Sequence, residues 1–135
     1  MKFRIFYTKH EHRLHDESYY IVHFRVIDKW AERYQNFLAN TLRVVANKVE
    51  DCDIILKAVS DAEKGFEPGS ILDANEVELF IYKDRVQFDI YSFEDWIDNP
   101  DAIFSLEELK IAVTEWKRFL KMPESLDSIV EFEFL

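Results

Sequence analysis

The sequence predicts a single α+β domain over residues 1–135, with one antiparallel sheet of about five strands and two or three helices packed on one face. Apolar residues alternate along some segments, as in half-buried strands, and recur at three- and four-residue steps along others, as in amphipathic helices. The chain is 48% hydrophobic and contains 12 Phe, 6 Tyr and 3 Trp. A chain of this length and composition can bury a core without disulfides.

Alternation predicts strands near both ends of the chain and in its middle. Phe3, Ile5 and Tyr7 share one face of the first strand, and residues 9–17 form a polar connection to the second. Two alternating segments around the Lys83-Asp84 link predict a hairpin. The predicted strands cover residues 2–8, 18–27, 77–82, 85–91 and 129–135.

Helical spacing predicts two longer helices. The first is capped by Asp28 and runs to about Glu50. Residues 53–64 continue at helical spacing, although the apolar run 54–56 is also compatible with a short strand. Gly65 ends this segment, and a turn follows at Glu67-Pro68-Gly69-Ser70.

The last helix carries the most specific local signal in the sequence. Ser105 precedes the apolar positions and Glu108 follows three residues later, which is the pattern of a capping box. Met122-Pro123 ends the helix, because proline cannot continue it.

The composition excludes several kinds of chemistry and one kind of partner. Two glycines are too few for phosphate-cradling or dinucleotide-binding loops. The formal net charge of -10 argues against nucleic acid as a partner. Charged residues interrupt every apolar stretch, and Arg4 lies where a signal peptide would be apolar, so we expect a cytoplasmic protein without a membrane segment.

The excess negative charge lies in the second half of the chain. Residues 86–109 contain seven carboxylates and no Lys or Arg, interleaved with aromatic residues. One interpretation is a surface that binds a basic protein, because unpaired like charges repel each other until a cationic partner arrives. The other is a solvated face with helix-start charges and core aromatics. The candidate partner-binding residues are Asp89, Tyr91, Glu94, Asp95, Trp96, Asp98, Asp101, Glu107 and Glu108.

A histidine cluster provides a second, weaker candidate site. His10, His12 and His15 lie within six residues and could bind a divalent metal, although Arg13 lies among them and the spacing matches no standard closed site. A solvated connection between strands explains the cluster equally well. We expect no cofactor.

Cys52 is the only cysteine, so the chain has no internal disulfide. Its neighbours Asp51 and Asp53 would raise the pKa of the thiol, which disfavours a nucleophilic role. The acidic pairs Asp95 with Asp98 and Glu107 with Glu108 have no nucleophile or cleft beside them in the sequence pattern. We therefore expect a protein that is not an enzyme.

The predicted layout ends in a hairpin, the segment Phe104-Ser105-Leu106-Glu107-Glu108-Leu109, the helix through Glu115-Trp116-Lys117-Arg118-Phe119-Leu120 and a closing strand. In this layout and in its acidic composition the chain resembles the immunity proteins of bacterial polymorphic toxin and contact-dependent inhibition systems. The resemblance implies a non-enzymatic inhibitor of a basic, often nuclease-like, toxin domain. Two alternatives stay open: a metal-dependent enzyme using the histidines, and a subunit that self-associates through the edge strand at residues 129–135. The sequence leaves the partner's identity and the oligomeric state open.

Overall fold

The computed structural model describes residues 1–11, 17–28 and 31–134. Within these ranges the predicted α+β class is confirmed, but the strands form two antiparallel sheets instead of one sheet of about five strands. The strands are β1 (Lys2–Glu11), β2 (Ser18–Val26), β3 (Gly69–Ala74), β4 (Val77–Ile81), β5 (Val86–Ile90), β6 (Ile103–Phe104) and β7 (Ile129–Glu133). The first sheet has the order β2-β1-β7 and the second the order β3-β4-β5-β6.

The helices lie between and against these sheets. They are α1 (Glu32–Tyr34), a π-helical turn (Gln35–Ala39), α2 (Asn40–Val45), α3 (Val49–Glu63) and α4 (Leu106–Leu120), with 3₁₀ turns at Glu94–Trp96 and Pro100–Ala102.

The first helical region differs from the prediction at both ends. It begins at Glu32, and Asp28 does not cap it, because the Asp28 carboxylate instead accepts a hydrogen bond of 2.8 Å from the backbone N–H of Lys2. It ends at Val45 and does not reach Glu50, because Ala46 leaves the helical conformation at φ -125° and ψ 62°. The indole N–H of Trp116 in α4 donates to the Ala46 carbonyl, so a contact distant in sequence holds the break.

Residues 53–64 are helical through Glu63, within α3, and the alternative of a strand at 54–56 is wrong. Gly65 ends the helix with φ +97°, a conformation that favours glycine. Gly69 has φ +77°, as a turn residue would, but it also opens β3. The sequence interpretation did not contain this strand.

The predicted hairpin and the predicted capping box are confirmed. The hairpin of β4 and β5 pairs Val77 with Ile90 and Ile81 with Val86. The capping box of α4 is formed, since the Glu108 N–H donates to the Ser105 hydroxyl and the Ser105 N–H donates to the Glu108 carboxylate, each at 3.0 Å. The polar connection is shorter than predicted, because β1 extends through Glu11.

Both sheets and the helices bury side chains in one apolar core. Phe3 of β1 stacks on Phe132 of β7, with ring centroids 4.8 Å apart, and Phe24 of β2 packs against Trp116 of α4 at 5.5 Å. Each sheet thus has one face on the core, and on β5 the residues of the opposite face, Gln87 and Asp89, are buried as well. Within the described ranges, no helix is long and apolar enough to cross a membrane.

Candidate acidic surface

The connection between β5 and β6, residues 91–101, carries most of the candidate partner-binding residues, and we call it the acidic segment. Its two 3₁₀ turns are short, and the second is capped by the Asn99 side chain, which accepts a hydrogen bond from the Asp101 N–H. The carboxylates of Glu94, Asp95, Asp98 and Asp101 all belong to exposed residues.

Asp89 anchors the acidic segment and is not part of its surface. The residue is only 7% exposed. Its carboxylate accepts hydrogen bonds of 2.9 Å from the Gln87 side chain and from the Asp98 backbone N–H. The Gln87 amide also donates to the Asp98 carboxylate at 3.0 Å. The prediction that Asp89 lies on a docking surface is therefore wrong, because the segment folds back over this part of β5.

Trp96 is a second anchor of the segment. Its ring packs against Phe37 of the π-helical turn at 5.3 Å and against Phe93 at 4.8 Å. The side chain is half-buried, so it combines packing with a surface that a partner can still contact. Trp96 therefore packs on Phe37 and Phe93 and keeps part of its side chain exposed.

Apolar side chains project from the same segment as the acids. Tyr91 is 45% exposed, Phe93 58% and Ile97 39%. Large apolar groups beside acids give a partner both a desolvated contact and a charge contact.

Among the described residues, the acidic segment makes no ion pair. No carboxylate from Asp89 to Glu108 lies within ion-pair distance of a Lys or Arg in the described part of the chain. Outside this stretch, six acids are paired with a Lys or Arg, although other exposed acids, such as Glu67 and Glu124, are not paired within the described ranges. These pairs are Arg4 with Glu131, Lys57 with Asp61, Arg85 with Asp84, Lys110 with Glu63, Lys117 with Asp53 and Arg118 with Glu115.

Glu107 and Glu108 lie at the start of α4, apart from the acidic segment. Glu107 is exposed, whereas Glu108 also accepts a hydrogen bond of 2.7 Å from the Tyr34 hydroxyl. Burial and this hydrogen bond raise the pKa of Tyr34. Both glutamates line a surface depression with Tyr34, Glu133 and Phe134, which we call the α4 depression.

A second depression lies on the other side of α1 and connects to the acidic segment. Trp96 and Asp101 line it together with Arg33. The Arg33 guanidinium stacks over the Phe104 ring at 4.3 Å and donates to the Ile103 carbonyl. Two consecutive residues of α1 therefore border the two groups of candidate acids. Arg33 lies beside the acidic segment, and Tyr34 lies beside Glu107 and Glu108.

One acidic row was missed by the sequence interpretation. Glu78 of β4 lies directly opposite both Asp73 of β3 and Asp89 of β5, so the three side chains share the outer face of the second sheet. The hydroxyls of Ser70 and Tyr91 both donate to the Glu78 carboxylate. These hydrogen bonds lower the pKa of Glu78, and the bond to Glu78 is the main cause that raises the pKa of Tyr91 to about 12.

Of the three candidate histidines, only His10 lies within the described ranges. His10 lies in β1, and the Thr8 hydroxyl is hydrogen-bonded to its Nε2 at 2.8 Å and to Nε2 of His23 at 2.7 Å. His12 and His15 lie outside the described residues. Among the described residues, no group of three His, Cys, Asp or Glu side chains could hold a metal ion.

Cys52 is fully buried in α3. Burial, followed by the charges of Asp51 and Asp53, raises the pKa of its thiol to about 12. A thiol in this environment is protonated at neutral pH and is a poor nucleophile.

Comparisons with protein-family models, with curated proteins and with solved structures find no match to this chain.

Proposed function

We propose that this protein is a non-enzymatic binding protein, of the immunity-protein kind, that binds a basic protein through the acidic segment. Glu94, Asp95, Asp98 and Asp101 supply the charge, and Tyr91, Phe93 and Trp96 supply the apolar contacts. Glu107 and Glu108 extend the charged region along the α4 depression. The partner that this surface fits is a cationic toxin domain, such as a nuclease.

One observation carries the proposal. In the described ranges, the acidic segment exposes four carboxylates without a cation at ion-pair distance, and it also exposes the large apolar side chains of Tyr91, Phe93 and Ile97. Exposed acids without counterions repel one another, and a cationic partner relieves that repulsion on binding.

Electrostatics and packing have separate roles at such a surface. The carboxylates increase the rate at which a cationic partner arrives, and this effect weakens as salt screens the charges. The apolar side chains lose contact with water in the complex and slow its dissociation. The hydrogen bonds of Asp89 hold the segment in place before the partner arrives, which reduces the ordering cost of binding.

The proposal is tested by capture of partners from the native cell on immobilised protein, at low and at moderate salt, followed by their identification. We expect a protein with a strongly basic sequence to be retained at low salt and to be retained less as salt rises. Failure to retain any basic protein, or retention that salt does not change, would contradict the proposal.

Two variants of equal net charge distinguish the acidic segment from the overall charge. Glu94→Gln/Asp95→Asn/Asp101→Asn neutralises side chains of the segment that make no ion pair in the described ranges. The matched control, Glu67→Gln/Glu124→Gln/Asp127→Asn, neutralises three exposed acids in other segments. Retention should fall in the first variant and persist in the second.

A further inference from the structure

The outer edge of the first sheet is open at β7. The Phe134 N–H donates to the Met1 carbonyl, which places Met1 and Phe134 in a hydrogen-bonded pair. Bonded and non-bonded pairs alternate along an antiparallel ladder. The backbone N–H and C=O groups of Ile129, Glu131 and Glu133 therefore point away from β1, and in the described residues no further strand pairs with them.

The opposite edge of the same sheet, formed by β2, is closed by side chains over the part from Val22 to Val26. The Gln35 side chain accepts a hydrogen bond of 2.8 Å from the Val26 N–H and donates one of 2.9 Å to the Phe24 carbonyl. The Arg43 guanidinium donates to the Val22 carbonyl at 2.9 Å. Side chains of the π-helical turn and α2 thus form hydrogen bonds with backbone groups at the edge of β2, as an added strand would.

Both edges of the second sheet are poor templates for a strand. The pairing of β3 is irregular between Ser70 and Leu72, and β6 has only the two residues Ile103 and Phe104. Irregular and very short edge strands are among the devices by which proteins prevent added pairing. β7 is the regular edge that lacks such protection within the described ranges.

The side chains of β7 determine which strand can pair with it. Ile129, Glu131 and Glu133 are exposed on the outer face, while Val130 is buried and Phe132 half-buried on the inner face. Pairing with a second copy, in the register that uses all three outward-pointing residues, would place Glu131 opposite Glu131, and like charges directly opposite are destabilising. A strand with Lys or Arg at alternate positions would instead face the two glutamates.

The surroundings of β7 add to this preference. The α4 depression beside its carboxyl end is lined by Glu107, Glu108 and Glu133. Among the described residues, Arg4 is the one cation that forms an ion pair with the edge, through a single oxygen of Glu131 at 2.7 Å. Glu133 lies opposite Lys2 in the register with β1, but the two side chains form no ion pair there.

We propose that β7 binds an extended, basic segment of a partner protein, which adds as a further strand to the first sheet. The partner's backbone pairs with the groups of Ile129, Glu131 and Glu133, and its alternating Lys or Arg side chains contact Glu131, Glu133 and the α4 depression. The identity of the natural partner rests on the proposed function, but the recognition of a basic strand by this edge does not.

A model peptide tests the inference without the natural partner. The peptide Lys-Val-Lys-Val-Lys with blocked termini is titrated into the full chain at low salt, and its control is Glu-Val-Glu-Val-Glu. Chemical shifts and amide exchange are followed by NMR. We expect the basic peptide to shift and protect the amides of Ile129, Glu131 and Glu133, and the acidic peptide to leave them unchanged. Shifts elsewhere without protection of these amides would overturn the proposal.

Two variants separate strand pairing from simple attraction of charges. Glu131→Pro removes an N–H that points away from β1, so the ladder to β1 is kept, and protection should be lost. Glu131→Gln/Glu133→Gln keeps the backbone, and affinity should fall by up to about fivefold for each carboxylate. Binding that Glu131→Pro leaves unchanged would show mere adsorption and refute strand addition.

If Glu131→Pro does not fold, the double glutamine variant and the site of amide protection still test whether the peptide adds as a strand at β7. Glu94→Gln/Asp95→Asn/Asp101→Asn should bind the peptide at β7 like the unaltered protein. The two proposals can therefore fail independently. Failure of the unaltered protein to capture a basic partner, or capture that Glu94→Gln/Asp95→Asn/Asp101→Asn leaves unchanged, refutes the acidic segment. Absence of protection at β7 refutes the strand.

Discussion

The backbone N–H of Asp98 donates a hydrogen bond of 2.9 Å to the buried carboxylate of Asp89. This contact joins the acidic segment to β5. Asp89, one of the candidate acids, therefore holds the segment that carries the other acids in place. Asp98 has φ +56°, a conformation that aspartate tolerates better than most residues. The surface is thus held by backbone and side-chain hydrogen bonds before any partner is present.

Removal of this support should destabilise the protein. In Asp89→Ala the Gln87 amide and the Asp98 N–H both lose their buried acceptor, and we expect the free energy of unfolding to fall by about 1–3 kcal/mol. Asp89→Asn keeps an acceptor oxygen, so its free energy of unfolding should fall by less. Urea unfolding measures the free energy of unfolding of each variant. Limited proteolysis after Glu94 measures how firmly the acidic segment is held. An Asp89→Ala protein as stable and as resistant as the original would contradict this role.

The closed edge of β2 gives a second prediction. Gln35→Ala leaves the Val26 N–H and the Phe24 carbonyl without partners, and we expect a loss of about 1–3 kcal/mol together with faster exchange of the Val26 amide. Gln35→Glu is the matched control, since its carboxylate can still accept from Val26 but cannot donate to Phe24. Its Val26 amide should remain protected. Equal exchange of that amide in the original and in Gln35→Ala would show that Gln35 does not close the edge.

Cys52 should be inert in the folded protein. Its thiol is fully buried, and its pKa is raised to about 12, so the reactive thiolate is scarce at pH 8. Alkylation by iodoacetamide should therefore require unfolding and should follow the urea transition. Rapid alkylation without denaturant would refute both the burial and the raised pKa.

The hydrogen bond between Tyr91 and Glu78 predicts that the protein loses stability both at low pH and at high pH. The pKa of Glu78 is lowered from 4.5, so its contribution to stability is present above that value and is lost as pH falls through the folded pKa. The pKa of Tyr91 is raised from 10.0 to about 12, so its contribution is present below 10.0 and is lost as pH rises through about 12.

Tyrosine ionisation measured by NMR checks the alkaline half of this prediction. We expect Tyr91 to ionise near pH 12 in the original protein and at lower pH in Glu78→Ala, which removes the hydrogen-bond acceptor that is the main cause of the shift. Tyr91→Phe identifies the signal. A Tyr91 that ionises near its ordinary value in the original protein would be inconsistent with the hydrogen bond to Glu78.

Local signals in the sequence predicted local structure well. The capping box of Ser105 and Glu108 and the hairpin of β4 and β5 depend on residues a few positions apart, and both are confirmed. The break at Ala46 was not predictable in this way, because no glycine or proline marks it and the apolar spacing continues through Val45 and Val49. At this break the Ala46 carbonyl accepts a hydrogen bond from the indole of Trp116, 70 residues later in the chain.

In the candidate site, too, local features could be predicted from the sequence, whereas contacts between distant residues could not. Counting charges located the acids, and several of them are exposed as expected, but it did not show that Asp89 is buried. The hairpin register would have placed Glu78 opposite Asp89, so this part of the acidic row could have been found from the predicted strands. The edge position of β7 agrees with the edge strand that one alternative placed at residues 129–135. The hydrogen bonds of Gln35 to β2 depend on the sheet order, which no local pattern contains.

The most direct test of the central claim is the association rate constant of the captured basic partner, measured by stopped flow as a function of salt. For Glu94→Gln/Asp95→Asn/Asp101→Asn we expect slower association and a weaker salt dependence than for the original protein, while Glu67→Gln/Glu124→Gln/Asp127→Asn associates at nearly the original rate. Equal rates for the two variants would contradict the claim that the acidic segment guides and binds the partner.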